Sequence, residues 1–209
     1  MTDLKTELTG STGALVPPYQ MLIPAGWQAF DLSLHDERAI VAQAVLRLRS
    51  NGRGDLAPHL THQVGQALTT LRRQNGFAYA IAGETSPTWA IGSASLVGVR
   101  RDATPDLPLD TVVTDAITRH GGAPLGGDER FVRWTTRRTV TLEGEEVTTT
   151  TINYLTPVPG SRRTQALQWS ATVTHAADVA AEDPVLETWN LLFDTHVASF
   201  TWLTPSVSP

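Results

Sequence analysis

The segments ERFVRWTTRRTVTL (residues 129–142) and EVTTTTINYLTPV (146–158) decide how this chain is read. Each alternates with a period of two, is rich in β-branched residues, and meets the other through a tight turn at Glu143-Gly144-Glu145. In the first, Val132, Trp134, Val140 and Leu142 fall on one face, and Arg133 and Arg137 on the other. TQALQWSATVTHA (164–176) follows, with Leu167, Trp169, Ala171 and Val173 alternating against Gln168, Ser170 and Thr172. Three such segments in a row predict an antiparallel meander with at least one buried face.

Working towards the N-terminus, FAYAIAG (77–83) and WAIGSASLVGV (89–99) read as two more strands about a Ser86-Pro87 turn. An amphipathic helix is expected over 109–119, ended by Gly121-Gly122. Two earlier stretches carry helical spacing instead. One spans 36–49 with Ile40, Val41, Ala44, Val45 and Leu48 inward, and closes at a left-handed Gly52. The other spans 56–74 with Leu60, Val64, Ala67, Leu68 and Leu71 inward, Asp55 as its cap and Pro58 in its first turn. Before them, strands are expected at Tyr19–Ile23 and Trp27–Leu32, around a Pro24-Ala25-Gly26 corner. At the far end Asp183-Pro184 opens a terminal helix whose inward stripe reads Val185, Trp189, Leu192, Phe193 and Phe200. The expected fold class is therefore α+β, a mainly antiparallel β-sheet covered by helices, closing as an α/β/α sandwich. The expected organisation is a polar leader over 1–18, one domain over 19–203 and a short tail over 204–209.

Composition narrows the chemistry. The chain has 209 residues, 41% apolar and 18% charged, enough for a sizeable core and unlike a disordered chain. No apolar run reaches the ~20 residues of a membrane span, and no basic-then-apolar leader opens the chain. Cysteine is absent, which removes disulfides, thiol nucleophiles and thiolate metal sites together. A cytoplasmic location and no membrane insertion are expected. The formal net charge of -5 gives no basic field for nucleic acid, so none is expected as partner.

Candidate sites are few. His59 and His62 are three apart on one helix, but no third metal ligand follows from spacing. HGGAPLGGDE (120–129) is glycine-rich without the lysine and hydroxyl residue of a phosphate loop, and reads as a mobile helix-to-strand loop. GSAS (92–95) lies within an apolar strand, away from a nucleophile elbow. Accordingly no catalytic residue, metal or cofactor is expected. Arg133 and Arg137 share a strand face that could present a basic stripe to an acidic partner. Against this stands a solvated face balanced by Glu143, Glu145 and Glu146. In LIPAGW (22–27), Trp27 follows the Pro-Gly corner directly, so its indole is expected under the terminal helix against Trp189 or Phe193. The contrary reading displays it at a binding rim.

IPAGW (23–27) and LETWNLLFDTHVASFTW (186–202) resemble the two ends of the PsbP-like α/β/α sandwich proteins, a superfamily that includes a photosystem-associated subunit and a nuclear-import Ran-binding factor. Pro24, Gly26 and Trp27 match its early corner, and Ser199-Phe200 matches the end of its closing helix. The central region is similar to small actinobacterial proteins found beside type VII secretion genes. The resemblance transfers no catalytic residue. It implies a scaffold that binds proteins or, less often, small ligands. The resulting expectation is a non-enzymatic binding or accessory protein, a chaperone-like partner of a type VII secretion system, with Arg133, Arg137 and Trp27 as partner surface. Two alternatives are a small-molecule module with a pocket between sheet and helices, and a hydrolase-type enzyme without a recognisable motif. An edge strand of the meander also admits pairing into a homodimer.

Overall fold

The computed structural model describes residues 16–50, 52–83, 86, 94–142 and 145–203. Nine strands and four α-helices are found among them. Seven strands form one sheet in the order β2-β3-β4-β8-β7-β6-β5, every neighbouring pair antiparallel. They are β2 (Trp27–Phe30), β3 (Gly76–Ala82), β4 (Ala94–Asp102), β5 (Ala123–Leu125), β6 (Asp128–Leu142), β7 (Glu145–Pro157) and β8 (Gln165–Ala176). The remaining two, β1 (Tyr19–Gln20) and β9 (Thr201–Trp202), pair with each other at the two ends of the chain.

The meander lies where its alternation puts it. Leu142 faces Glu145 across the hairpin end, and the ladder runs back to Val132 opposite Leu155. The turn residues Glu143 and Gly144 lie outside the described residues. On β8 the odd positions Leu167, Trp169, Ala171 and Val173 are all buried. They meet β1, β9 and the terminal helix α4 (Pro184–Ala198), whose Leu186, Trp189, Phe193 and Val197 close the main core. The opposite sheet face carries α1 (Leu34–Ser50), α2 (Ala57–Arg73) and α3 (Leu109–His120). Helices on both faces complete the α+β sandwich.

Four local expectations are corrected. Asp55 does not cap α2: it sits in a 3-10 turn, Gly54–Leu56, and the helix begins after Leu56 with no side-chain cap. HGGAPLGGDE is a hairpin rather than a loop, because β5 pairs with β6 and the turn uses Gly126 and Gly127, both at positive φ (55° and 86°). The first strand is shorter than expected, ending at Gln20. On α4, Val185 is exposed and Leu186 buried instead. Asp183 accepts the Val185 amide and Pro184 opens the helix, so the inward stripe starts one residue later at 186, 189, 193 and 197. The WAIGSASLVGV strand is found from Ala94 onward; residues 89–93 and Pro87 lie outside the described residues.

Gly98 is where the core requires a missing side chain. A Cβ there would lie 2.7 Å from Phe77 Cζ and 2.8 Å from Trp169 Cζ3, two rings packed edge to face at 5.1 Å. β3 and β4 therefore leave a ring-sized space beside the backbone of β4.

Candidate ligand-binding cleft

The residues singled out for a partner surface are largely committed to the fold. Trp27 is 7% exposed and meets Trp189 and Phe193 edge to face, at 6.2 and 5.6 Å between ring centres. Its indole packs beneath the terminal helix because Gly26, at φ 80°, turns the chain and the Trp27 amide closes on the Pro24 carbonyl at 3.0 Å. Arg133 and Arg137 do share a face, but that face is the one α4 covers. Arg133 Nε donates to Asp194 Oδ1 at 2.8 Å and Nη2 to Asn190 Oδ1 at 3.2 Å. Its counter-charge is thus a carboxylate on α4. Arg137 is exposed and donates to the Val179 carbonyl at 2.9 Å. Tyr154 adds a third donor, its hydroxyl 2.7 Å from the same Asp194 oxygen. Burial, then the Asp194 charge, holds the Tyr154 phenol protonated well above the usual tyrosine range.

The histidine pair stays on the surface. His59 and His62 are both exposed, and His62 Nε2 lies 2.8 Å from Gln66 Nε2 one turn along. Among the described residues, no group of three His, Asp or Glu side chains is placed to hold a metal ion.

The opposite sheet face holds a feature that residue spacing does not reveal. Of the expected helical stripes, Ile40, Ala44 and Leu48 on α1 and Leu60, Val64, Leu68 and Leu71 on α2 face the space above the sheet, while Val41 and Val45 do not line it. The stripes do not close on the sheet. Only Ile40 and Leu68 of these seven are fully buried, in a small cluster with Leu32, Phe30 and Tyr79. The helix pair is tied down at one end: Arg72 binds the Leu32 carbonyl (2.6 Å), the Ser33 carbonyl (3.3 Å) and Glu37 (2.7 Å). Beyond that tether the helices stand off, leaving a cleft of about 970 Å³. Its floor is Tyr79, Ile81 and Val97, with the hydroxyls of Ser95, Thr172 and Thr174 among them.

Among the described residues, the cleft wall contains no aspartate, glutamate, histidine, lysine or arginine. Among the described residues of the lining, one buried polar atom has no protein partner: Gln43 Oε1 on α1, which is closed off from water. Beside the floor, the register sets Ser170 opposite Val97. There Gln168 Nε2 donates to Asn153 Oδ1 (2.9 Å), Ser170 Oγ donates to the same oxygen (2.8 Å), and Arg101 Nε donates to Gln168 Oε1 (2.9 Å). Those groups satisfy one another and fix the sheet under the space between the α1–α2 pair and α3.

Neither a family model nor the sequence of a characterised protein matches the chain. Among solved structures, a protein from Bacteroides thetaiotaomicron VPI-5482 is similar over 91% of this chain, at a TM-score of 0.43 and 8% identity. This chain spans 47% of that protein's length. LpqN of Mycobacterium tuberculosis, a protein involved in cell envelope biogenesis, is similar over 92% of this chain and 86% of its own, at a TM-score of 0.39 and 12% identity.

Proposed function

We propose that this protein binds a small, largely apolar molecule between the α1–α2 pair and the sheet. One observation carries the reading: two apolar helix stripes and an apolar strand surface face each other across about 970 Å³ without closing. That volume lies within the range of drug-sized ligand sites, and apolar walls with a few polar groups are their usual composition. The same wall gives little support to acid–base catalysis, since among the described residues it offers no ionisable side chain apart from the Tyr79 phenol. The reading of an accessory factor for a secretion system rests on the resemblance of the chain ends. Of its three residues, Trp27 and Arg133 are already engaged by α4.

The test is a fluorescence titration with N-phenyl-1-naphthylamine, a neutral aromatic amine that brightens on leaving water. Saturable one-to-one binding to the wild-type protein is expected, and its loss in Val64→Trp, whose indole fills the cleft. Binding that Val64→Trp leaves intact would remove the cleft from the account. Ala44→Phe serves as a second filling variant, with melting temperature confirming that each remains folded.

A further inference from the structure

We infer that the α1–α2 pair is a hinged lid, which swings about Leu32 and Asn75 and closes over the cleft when an apolar molecule occupies it. The inference rests on the cleft reading and adds how the site opens and shuts. Its first ground is where the pair is attached. The chain enters α1 from β2 through Leu32 and leaves α2 for β3 through Asn75, so both joints lie at one end of the helices. Polar ties gather at the same end. Arg72, in the last turn of α2, donates to the Leu32 and Ser33 carbonyls and pairs with Glu37, and Asp36 accepts the Asp31 amide at 2.7 Å. At the other end α1 stops at Ser50 and α2 starts at Ala57, and there Leu48 and Leu60 face the sheet across the open cleft. A pair held at one end, with a gap beneath the rest, is built to pivot.

The second ground is the backbone at the two joints. Leu32 at φ 63° and Asn75 at φ 60° are both left-handed. Asn75 tolerates this, since asparagine is a usual left-handed residue just past a helix end. Its carbonyl accepts the Arg100 amide at 3.0 Å, which fixes that joint to β4. Leu32 is different, because a branched side chain crowds the backbone in this region. It is held there from two sides: Arg72 grips its carbonyl, and its side chain, 3% exposed, clusters with Ile40 of α1 and Leu68 of α2. Strain of this kind persists only where the surroundings impose it, and it collects at moving parts. In the open position Leu32 carries that strain. Closing turns Leu32 towards the extended region, lowers the far end of the pair onto the sheet, and brings Leu48, Leu60 and Val64 against the bound molecule.

The chain has no cysteine, so nitroxide labels can be placed in pairs without background. His59→Cys marks the far end of α2, Arg73→Cys its jointed end, and Arg138→Cys on β6 is the fixed reference; all three positions are exposed. Pulsed electron–electron distances are measured with and without saturating N-phenyl-1-naphthylamine. The probe should shorten the 59-to-138 distance by about 5 Å and change the 73-to-138 distance by less than about 2 Å, since about 21 Å of helix separates the two α2 positions. Leu32→Ala and Leu32→Gly both delete the apolar side chain, but only alanine keeps a Cβ in the left-handed region. The probe should therefore bind Leu32→Ala about three- to tenfold more tightly than Leu32→Gly, in which the open position is no longer strained. Probe fluorescence reports occupancy independently of the distances. Bound probe with both distances unchanged would overturn closure and leave the cleft standing. Equal changes in the two distances would overturn the pivot at this end, and equal affinity of the two Leu32 variants would overturn Leu32 as its strained joint. Absence of saturable binding would overturn the cleft reading itself, and the lid with it.

Discussion

Asp194 Oδ1 receives two hydrogen bonds from the sheet, Arg133 Nε at 2.8 Å and the Tyr154 hydroxyl at 2.7 Å. It is the polar pin between α4 and the β6–β7 hairpin, set at the margin of an otherwise apolar contact. Removing it strands a partly buried guanidinium and a buried phenol together. Asp194→Ala should therefore lower unfolding free energy by about 2–4 kcal/mol, measured by urea denaturation. Asp194→Asn keeps an acceptor oxygen and should cost less than half as much. Equal losses in the two variants would show that charge, and not the acceptor, is what the pin supplies.

Gly98 makes a second prediction about the same core. Gly98→Ala places a methyl group within 2.8 Å of both Phe77 and Trp169, whose rings are held by Tyr19 and Phe200 on their other sides. Alanine suits a strand better than glycine, but the clash outweighs that gain, and destabilisation of about 1–3 kcal/mol is expected. Adding Phe77→Leu to Gly98→Ala should recover part of the loss, because it returns the space. Additive losses in the double variant would contradict this account of the contact.

His196 supplies the pH dependence. On α4, desolvation depresses its pKa below the usual histidine value, outweighing a hydrogen bond with the Leu22 backbone that raises it, and its Nδ1 is buried without a partner. The unfolded chain then takes up a proton near pH 6.5 that the folded chain resists. In that window the unfolded state holds more protons, so stability must fall as pH drops through 6.5 towards the folded value. His196→Gln should flatten the slope of unfolding free energy between about pH 7 and pH 5 relative to wild type. An unchanged slope would place the pH dependence elsewhere.

These relationships differ in how far residue order discloses them. The β6–β7–β8 meander is plain in the sequence, because alternation of period two survives whatever packs on it, and the Asp183-Pro184 start of α4 is a local cap. The β1–β9 pairing joins Tyr19 to Trp202 through two-residue strands, too short for any periodic signal. β5 was hidden by the glycines that make its turn, since the same residues suit a loop. Arg133 shows an alternating strand position but says nothing about a carboxylate 61 residues away. The cleft is the clearest case. Ile40, Ala44, Leu48, Leu60, Val64 and Leu68 read as inward stripes, and they are. Spacing fixes the direction of a stripe and leaves its distance from the sheet to tertiary contacts such as the Arg72 tether.

The cleft can be observed at atomic positions by methyl-detected NMR of protein labelled at Ile, Leu and Val, titrated with N-phenyl-1-naphthylamine. The account predicts that the methyl resonances of Ile40, Val64, Leu68, Ile81 and Val97 shift together and saturate with one affinity. Val112 and Val113 on α3 and Val197 in the main core should stay in place. Shifts confined to the α3 or α4 methyls, or none at saturating probe, would contradict a binding site between the α1–α2 pair and the sheet.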